Sequence, residues 1–367
     1  MKKRFLGVLL SVAMVAAVLA GCGSSGAKET AAPAGSETEA ASEAASGETE
    51  AAGNTGDVIT VGFSQVGAES DWRTANSESM KATFSTENGY NLIFDDAQQK
   101  QENQIAAIRN FIQQEVDYIV LAPVTESGWD TVLQEAKDAE IPVIIVDRMV
   151  NVSDDSLYTA WVGSNFKLEG QKACEWLKQY AAAKNMSEVN IVDIQGTIGA
   201  SAQIGRTEAL NEAVEANGWN LLAQQTGEFT QAKGQEVMES MLKQYDNINV
   251  VYCENDNEAF GAIAAIKAAG KTVGPDGDIL VMSFDTTKQG ITDTLSGDII
   301  VNTECNPLHG PRVEQIIKQL QAGETPEKEV YMTEHWFVNE DVLSTINVNG
   351  EDQDLTVVTK EIVDAQY

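Results

Sequence analysis

The sequence predicts an α/β protein made of two lobes, each a doubly wound parallel sheet covered by helices on both faces. Three observations carry this. From residue 58 onward, short β-branched runs alternate with longer amphipathic segments, the β-α repeat that generates parallel sheets with covering helices. The same opening occurs twice, as a strand, a small polar loop and a long helix: Val58 to Val66 then Trp72, and Val189 to Gly196 then Ala200. Each half holds about 130 to 150 residues, the usual size of one domain. Finally, 367 residues that are 43% hydrophobic and 22% charged can bury one large core or two medium ones, which excludes full-length disorder.

The strands are expected at Val58 to Gln65, Asn91 to Asp95, Tyr118 to Ala122, Val143 to Asp147, Tyr158 to Gly163, Asn190 to Gln195, Asn220 to Gln225, Val250 to Glu254, Ile279 to Phe284 and Ile299 to Thr303. Periodicity places helices between them at 71–88, 100–115, 126–139, 165–184, 201–217, 231–245, 257–269, 286–296 and 308–322. That many strands exceed what one open sheet usually holds, so two lobes follow.

Residues 1–22 precede this pattern and read as an export signal. Lys2, Lys3 and Arg4 lead into the apolar run Phe5 to Leu19, and Leu19-Ala20-Gly21-Cys22 closes it. The run is short for a membrane span, and its end resembles the lipobox of bacterial lipoproteins, in which Cys22 becomes the lipidated first residue. Residues 23–56 have no aromatic and no Val, Ile or Leu; such a segment buries too little apolar area to offset its ordering entropy and reads as a disordered acidic tether. The folded part is therefore expected outside the cytoplasmic membrane, held there by lipid.

Charge narrows the partners. With 24 Lys and Arg against 56 Asp and Glu, a formal charge of -32, phosphate backbones and anionic lipid heads are repelled, so nucleic acid is not expected as a partner. The two histidines, His309 and His335, lie far in sequence from cysteine or acidic clusters at metal spacing, so neither a metal site nor His-based triad chemistry is expected. Cys174, Cys253 and Cys305 read as buried free thiols, with a Cys253–Cys305 disulfide the alternative.

In open α/β sheets, ligands bind beyond the carboxyl ends of the strands. Those positions here are Ser64 and Gln65, Asp95 and Asp96, Pro123, Asp147 and Arg148, Ser164 and Asn165, Gln195, Asn255 and Asp256, Asp285, and Glu304; Arg73 and Arg206, expected in first helical turns, join the same edge. Asp, Asn and Arg grip the adjacent hydroxyls of a sugar through charge-assisted bonds worth about 1.5–3 kcal/mol each, and Trp72 or Phe229 can stack on the apolar face of its ring. Each residue also has a plainer reading. Asp147 and Arg148 can be an ion pair, Asn255 and Asp285 turn or N-cap residues, Trp72 an inter-lobe packing residue, and Glu304 a solvated residue at a lobe crossing.

Three other motifs fail. Ala268-Ala269-Gly270-Lys271-Thr272 lacks the earlier glycine of a phosphate loop, Ala265 standing there, and it ends a helix where a phosphate loop opens one. Gly196-Thr197-Ile198-Gly199-Ala200 lacks the full dinucleotide fingerprint. Asp285-Thr286-Thr287 has no second Asp at phosphotransferase spacing.

A longer series of segments is more specific. Val61-Gly62-Phe63-Ser64-Gln65-Val66-Gly67, Glu69-Ser70-Asp71-Trp72-Arg73, Gln98 through Ile105, Ala122-Pro123-Val124, Val146-Asp147-Arg148, Gln195 through Ser201, Gly234 through Ser240 and Asn255-Asp256 together resemble the galactofuranose-binding branch of the ribose/galactose-type periplasmic binding proteins. The resemblance covers nearly all of 58–330 and implies the type I periplasmic binding fold, its lobes joined by a three-crossing hinge. It implies a substrate-binding lipoprotein of an ABC-type sugar importer, working as a monomer that hands a monosaccharide to the permease, without cofactor or catalysis.

It further implies ligand contacts at Glu69, Trp72, Arg73, Asp147, Arg148, Arg206, Asn255 and Asp285, and crossings near Ser164, Glu304 and 327–330. The lobes are then 57–164 with 305–327, and 165–304 with 328–367. Asp71 stands where a small residue is usual, and the tail after Glu334 is a second departure. A sensor presenting the sugar to a membrane histidine kinase or chemoreceptor is the alternative. An exported sugar-processing enzyme would use Asp147 and Asp285 as acid and base, against the expectation that Arg148 and Arg206 keep both ionised. Arg73→Ala is expected to lose sugar affinity without losing thermal stability.

Overall fold

The computed structural model describes residues 58–367. The expected export signal, Cys22 and the expected tether lie outside the described residues. The first lobe opens with β1 (Ile59–Gln65), α1 (Asp71–Thr83), β2 (Tyr90–Asp96), α2 (Gln101–Gln113), β3 (Tyr118–Leu121), α3 (Asp130–Asp138), β4 (Val143–Val146) and β5 (Ala160–Gly163). The expected helix at 71–88 stops at Thr83, followed by a separate 3-10 turn over Thr86–Asn88 that ends on Gly89 at φ 87°. The expected start at 126 moves to Asp130, because Gly128 at φ +94° breaks the helical path and the Glu126 amide is used elsewhere.

The second lobe repeats the plan with α4 (Phe166–Ala183), β6 (Asn190–Gln195), α5 (Ser201–Asn217), β7 (Asn220–Thr226), α6 (Gln231–Gln244), β8 (Val250–Cys253), α7 (Asp256–Ala268), β9 (Leu280–Asp285), α8 (Lys288–Ser296) and β10 (Val301–Glu304). The chain then returns to the first lobe for α9 (Gly310–Gln321) and β11 (Glu329–Tyr331). It finishes on the second with β12 (Trp336–Val338), β13 (Thr345–Val348), β14 (Glu351–Asp354), β15 (Thr356–Val357) and α10 (Lys360–Ala365).

Strand order is β11-β5-β4-β3-β1-β2 in one sheet and β15-β12-β10-β9-β8-β6-β7 in the other. Read from its β2 or β7 edge, each lobe winds identically through five strands, so β1 and β6, and likewise β4 and β9, hold equivalent places. All pairings in the first sheet are parallel. In the second only β12 runs against its neighbour β10. The β-branched strands Tyr118–Leu121, Val143–Val146 and Val250–Cys253 are almost wholly buried, as expected where helices cover both faces of a parallel sheet.

The boundary expected at 327/328 is corrected. Glu329–Tyr331 pairs in parallel with Trp161–Gly163 and so belongs to the first sheet, and the third crossing runs through 332–335. The tail after Glu334 is structured. Hairpin β13–β14 buries Ile346 and Val348 in the core of Trp176, Leu177 and Tyr180, and α10 lays Ile362 and Val363 against Ile291 and Phe337. Strands of two to four residues are too short for their own pattern to mark them, and their order comes from docking onto α4 and α8.

Helices α6 and α7, which support the second lobe's cleft edge, approach backbone to backbone. A Cβ on Gly261 would lie 2.2 Å from the Gln231 carbonyl oxygen and 2.6 Å from the Gln235 nitrogen, atoms that cannot rotate away. Gly261→Ala is therefore expected to lower stability by about 2 kcal/mol, read as a lower denaturant midpoint; an unchanged midpoint contradicts the close approach.

Candidate functional site

Local chemistry aims the polar residues at the junction of the two lobes. Ser70 caps α1, its hydroxyl accepting from the Arg73 amide, and this starts the helix so that Trp72 and Arg73 leave its first turn toward the cleft. Gln65 at the end of β1 fixes the same helix, its Nε2 donating to Asn76 Oδ1 at 2.9 Å. Asn165, Thr230 and Asn255 cap α4, α6 and α7 in the same way. Asn255 is both cap and cleft residue, as its Oδ1 accepts from the Glu258 amide and its Nδ2 donates to the Phe229 carbonyl at 3.2 Å. Arg206 sits in the second turn of α5, one turn later than expected.

The two equivalent strands β4 and β9 each run out onto an aspartate with left-handed backbone, Asp147 at φ 61° and Asp285 at φ 98°. Such conformations cost about 1–3 kcal/mol for a non-glycine residue and persist only when the surroundings fix them. Each aspartate faces an arginine from the helix that follows its lobe's first strand. Arg73 Nη2 donates to Asp147 Oδ2 at 2.6 Å and Arg73 Nε to Glu69 Oε1 at 3.1 Å. Arg206 Nε donates to Glu169 Oε2 at 2.9 Å, and Arg206 Nη2 lies 3.6 Å from Asp285 Oδ1. Arg148 lies against the first array, 3.6 Å from Glu69 and 3.8 Å from Asp147, and donates to the Val124 carbonyl at 2.8 Å.

These groups are all buried, so their charges are strongly coupled. Burial lifts the Asp147 carboxyl, but the guanidinium groups of Arg73 and Arg148 overcome it and hold it below the usual carboxylate range. Asp285 goes the other way: burial raises it well above that range, more than Arg206 lowers it. The two aspartates thus shift in opposite directions, because Asp147 meets two cations and Asp285 only one. Burial together with the charge of Arg73 brings Arg148 down to about 10, against the pull of Asp147 and Glu69.

Glu69, Ser70, Trp72, Arg73, Asp147, Arg148, Phe166, Ala202, Arg206, Phe229, Asn255, Asp285 and Cys305 line a small cavity. Both lobes line it. Trp72, Phe166 and Phe229 form an apolar cluster with Ala200, Ala202 and Cys305; the Arg148 guanidinium stands 5.1 Å from the Phe229 ring centre. Among the lining residues, Glu69 Oε2, Arg73 Nη1 and Arg148 Nε have no hydrogen-bond partner in the protein, a deficit that buried polar groups normally avoid.

The lobes are closed over this cavity. The Asp71 amide donates to Asn257 Oδ1 at 3.0 Å, the Glu126 amide to the Gly199 carbonyl at 3.0 Å, and the Met149 amide to Ser201 Oγ at 2.9 Å, each bond joining the first lobe to the second. Trp72 Nε1 adds a bond to the Cys305 carbonyl in the second crossing, at 2.5 Å.

Of the strand-end positions, Ser64, Gln65, Asp95, Asp96, Pro123, Ser164, Asn165, Gln195, Asp256 and Glu304 do not line the cavity. Ser64 is fully buried within β1 and does not line the cavity. Glu304 points into the hinge, where its Oε2 takes the His335 amide and pairs with His335 Nδ1, both at 2.8 Å. Phe166, Ala202, Ser70 and Cys305 were not anticipated as lining residues. Phe166 had a readable signal, since it follows the cap Asn165 as Trp72 follows Ser70 and Asp71; the others are set by the lobe crossing alone. The second carboxylate on Arg206, Glu169, comes from α4 and carried no strand-end signal.

The hinge itself is tied at one point. Ser164 of the first crossing donates to Glu334 of the third, which also accepts from the Asn306 amide of the second at 3.1 Å, while Cys305 Sγ lies 3.4 Å from Ser164 Oγ. Glu169, Cys305 and Glu334 bring ligand atoms within 4.8 Å of one another. Burial raises the pKa of all three groups. Cys174, Cys253 and Cys305 are free and buried, so the Cys253–Cys305 disulfide does not form.

Arg73 separates two buried carboxylates, which changes the expectation for Arg73→Ala. Removing it leaves Glu69 and Asp147 facing each other with only the more distant Arg148 to offset them, so the variant is expected to lose stability on the order of 3 kcal/mol as well as sugar affinity. Wild-type stability in denaturant titration contradicts this. His309, which contacts Trp72 edge to face at 5.7 Å, accepts from Asn76 Nδ2 through Nδ1 at 3.2 Å. Burial lowers its pKa from 6.5 to about 4, with Asp147 opposing and Arg73 assisting.

Between those two values the unfolded chain binds the His309 proton and the folded chain does not, so the contribution of His309 is complete above 6.5 and lost as pH falls toward 4. The stability of wild type minus that of His309→Asn is expected to fall over that interval. A difference independent of pH contradicts the buried neutral ring.

The family described as "Periplasmic binding protein domain" matches residues 61–303. The chain is 42% identical over 275 residues, 74% of this chain and 85% of the relative, to the galactofuranose-binding protein YtfQ of Escherichia coli. A structure from Mycobacterium smegmatis in complex with β-D-fucofuranose superposes with a TM-score of 0.74 at 43% identity, over 77% of this chain and 92% of that one. The periplasmic binding component of the arabinose ABC transporter of Shewanella sp. ANA-3, bound to α- and β-L-arabinofuranose, gives 0.72 at 43% identity, over 77% and 93%. Matched along most of its folded length and carrying a cleft lined by both lobes, the chain belongs to the periplasmic binding protein family.

Proposed function

We propose that the protein is the substrate-binding lipoprotein of an ABC-type sugar importer, and that it captures one monosaccharide in its five-membered-ring form. The observation that carries this reading is the cavity walled by both lobes, in which an arginine–aspartate pair from each lobe faces a small enclosed space with guanidinium and carboxylate atoms still unpartnered. Adjacent hydroxyls of a sugar meet such groups pairwise, and Trp72 and Phe229 offer ring faces to its carbon skeleton. The relatives named above are described with galactofuranose, fucofuranose and arabinofuranose, which supports a furanose.

A cavity of this kind admits its ligand only when the seam bonds of Asp71, Glu126 and Met149 open, so binding works through an open–closed equilibrium. The sugar shifts that equilibrium because it bonds both lobes at once only in the closed form. The permease then meets the closed shape, and no bond of the sugar is made or broken. Lipidation at Cys22 keeps the protein at the outer side of the cytoplasmic membrane, with residues 23–56 as its tether.

Calorimetric titration of residues 57–367 with L-arabinose, D-galactose, D-ribose and D-glucose tests the reading. Saturable binding is expected for arabinose or galactose, and the anomeric carbon signal of isotope-labelled sugar on the protein is expected to be that of a furanose. Absence of binding to every sugar overturns the function, and a bound pyranose overturns the ring form.

A further inference from the structure

The backbone on which Asp285 stands is held by two residues distant in sequence. Asp285 and Thr286 are consecutive non-glycine residues in the left-handed region, at φ 98° and 56°, so this turn does not maintain itself. Gln366 Nε2 donates to the Thr286 carbonyl at 2.5 Å and to its hydroxyl at 3.1 Å. The Tyr367 hydroxyl donates to the Asp285 carbonyl, and the Tyr367 carbonyl accepts from the Lys288 amide at 3.2 Å. From the other side, Asn302 Oδ1 takes the Thr286 amide at 3.2 Å and Asp256 takes the amide and hydroxyl of Thr287, both at 2.8 Å.

The same phenol also reaches the hinge. Its oxygen lies 3.4 Å from the Cys305 carbonyl, the acceptor used by Trp72 Nε1 of the first lobe. Burial, reinforced by Asp285, raises the phenol well above its ordinary pKa, so it remains a donor.

We infer that Tyr367, assisted by Gln366, is a positioning residue of the sugar site: it fixes the strained Asp285–Thr286 turn, and so the direction of the Asp285 carboxyl, from behind the cavity wall. Tyr367 does not line the cavity and acts only through Asp285 and the Cys305 carbonyl. The inference rests on the proposed role of Asp285 in holding a sugar hydroxyl.

The test is Tyr367→Phe, which keeps the ring and removes the donor, titrated with L-arabinose and D-galactose beside wild type, Asp285→Asn and the double variant. Affinity is expected to fall about fivefold, within the range of one hydrogen bond. The effect of Tyr367→Phe is expected to shrink to under about twofold in the Asp285→Asn background, a coupling that general loosening of the fold does not produce. Wild-type affinity in Tyr367→Phe overturns the inference, and so does an undiminished loss in the Asp285→Asn background. Should wild type bind neither sugar, the proposed function fails separately. Amide hydrogen exchange at Thr286, Thr287 and Lys288 then decides, with faster exchange in Tyr367→Phe supporting the clamp and unchanged exchange overturning it.

Discussion

The structure depends on neutralising charge that has been taken out of water at the mouths of two sheets. An unpaired buried carboxylate or guanidinium is so unfavourable that each must meet a partner or lose its charge, and the fold answers with two arrays. Arg73 lies between Glu69 and Asp147, and Arg206 between Glu169 and Asp285. The two arrays are products of one repeated plan, because α1 and α5 follow equivalent first strands, and Asp147 and Asp285 end equivalent strands β4 and β9. Folding each lobe therefore places one half of the site, and closing the lobes sets the halves face to face.

The arrays are equivalent in position and different in charge. Arg148 joins the first and has no counterpart in the second, so the Asp147 carboxyl is held below the usual carboxylate range and that of Asp285 above it. A ligand with hydroxyl groups suits this asymmetry, since each hydroxyl both donates and accepts: it can donate to Asp147 and accept from a guanidinium or a protonated Asp285. Closure is supported by few direct bonds across the seam, with the three crossings tied through Ser164, Asn306 and Glu334. A small seam and a compact hinge are what an equilibrium responsive to a single bound molecule requires.

The β-α alternation made the strands and helices from 58 to 322 legible, since a buried parallel sheet demands β-branched runs and its covering helices demand an amphipathic period. The strand-end rule likewise located Asp147, Arg148, Asn255 and Asp285, and helix-start logic located Trp72 and Arg73. What could not be read depends on contacts made at a distance. Glu304 ends a strand as Asp285 does, yet it turns to His335, which arrives from the third crossing. Glu169 reaches Arg206 from a helix face, and Ala202 and Cys305 enter the cavity only because the lobes meet there. The strands β11 to β15, of two to four residues each, are too short for a period to distinguish them from loop, even where Thr345–Val348 alternates exposed and buried, and the left-handed Asp147 and Asp285 have no sequence signature comparable to glycine.

The central claim is that opposed arginine–aspartate pairs hold a sugar in the space the two lobes enclose. A crystal structure of the folded part grown with L-arabinose tests it most directly. The account predicts one furanose ring in the cavity, between Trp72 and Phe229, with hydroxyls on Asp147, Asp285 and Arg206. A sugar bound on an outer face, while the enclosed space holds none, would contradict it.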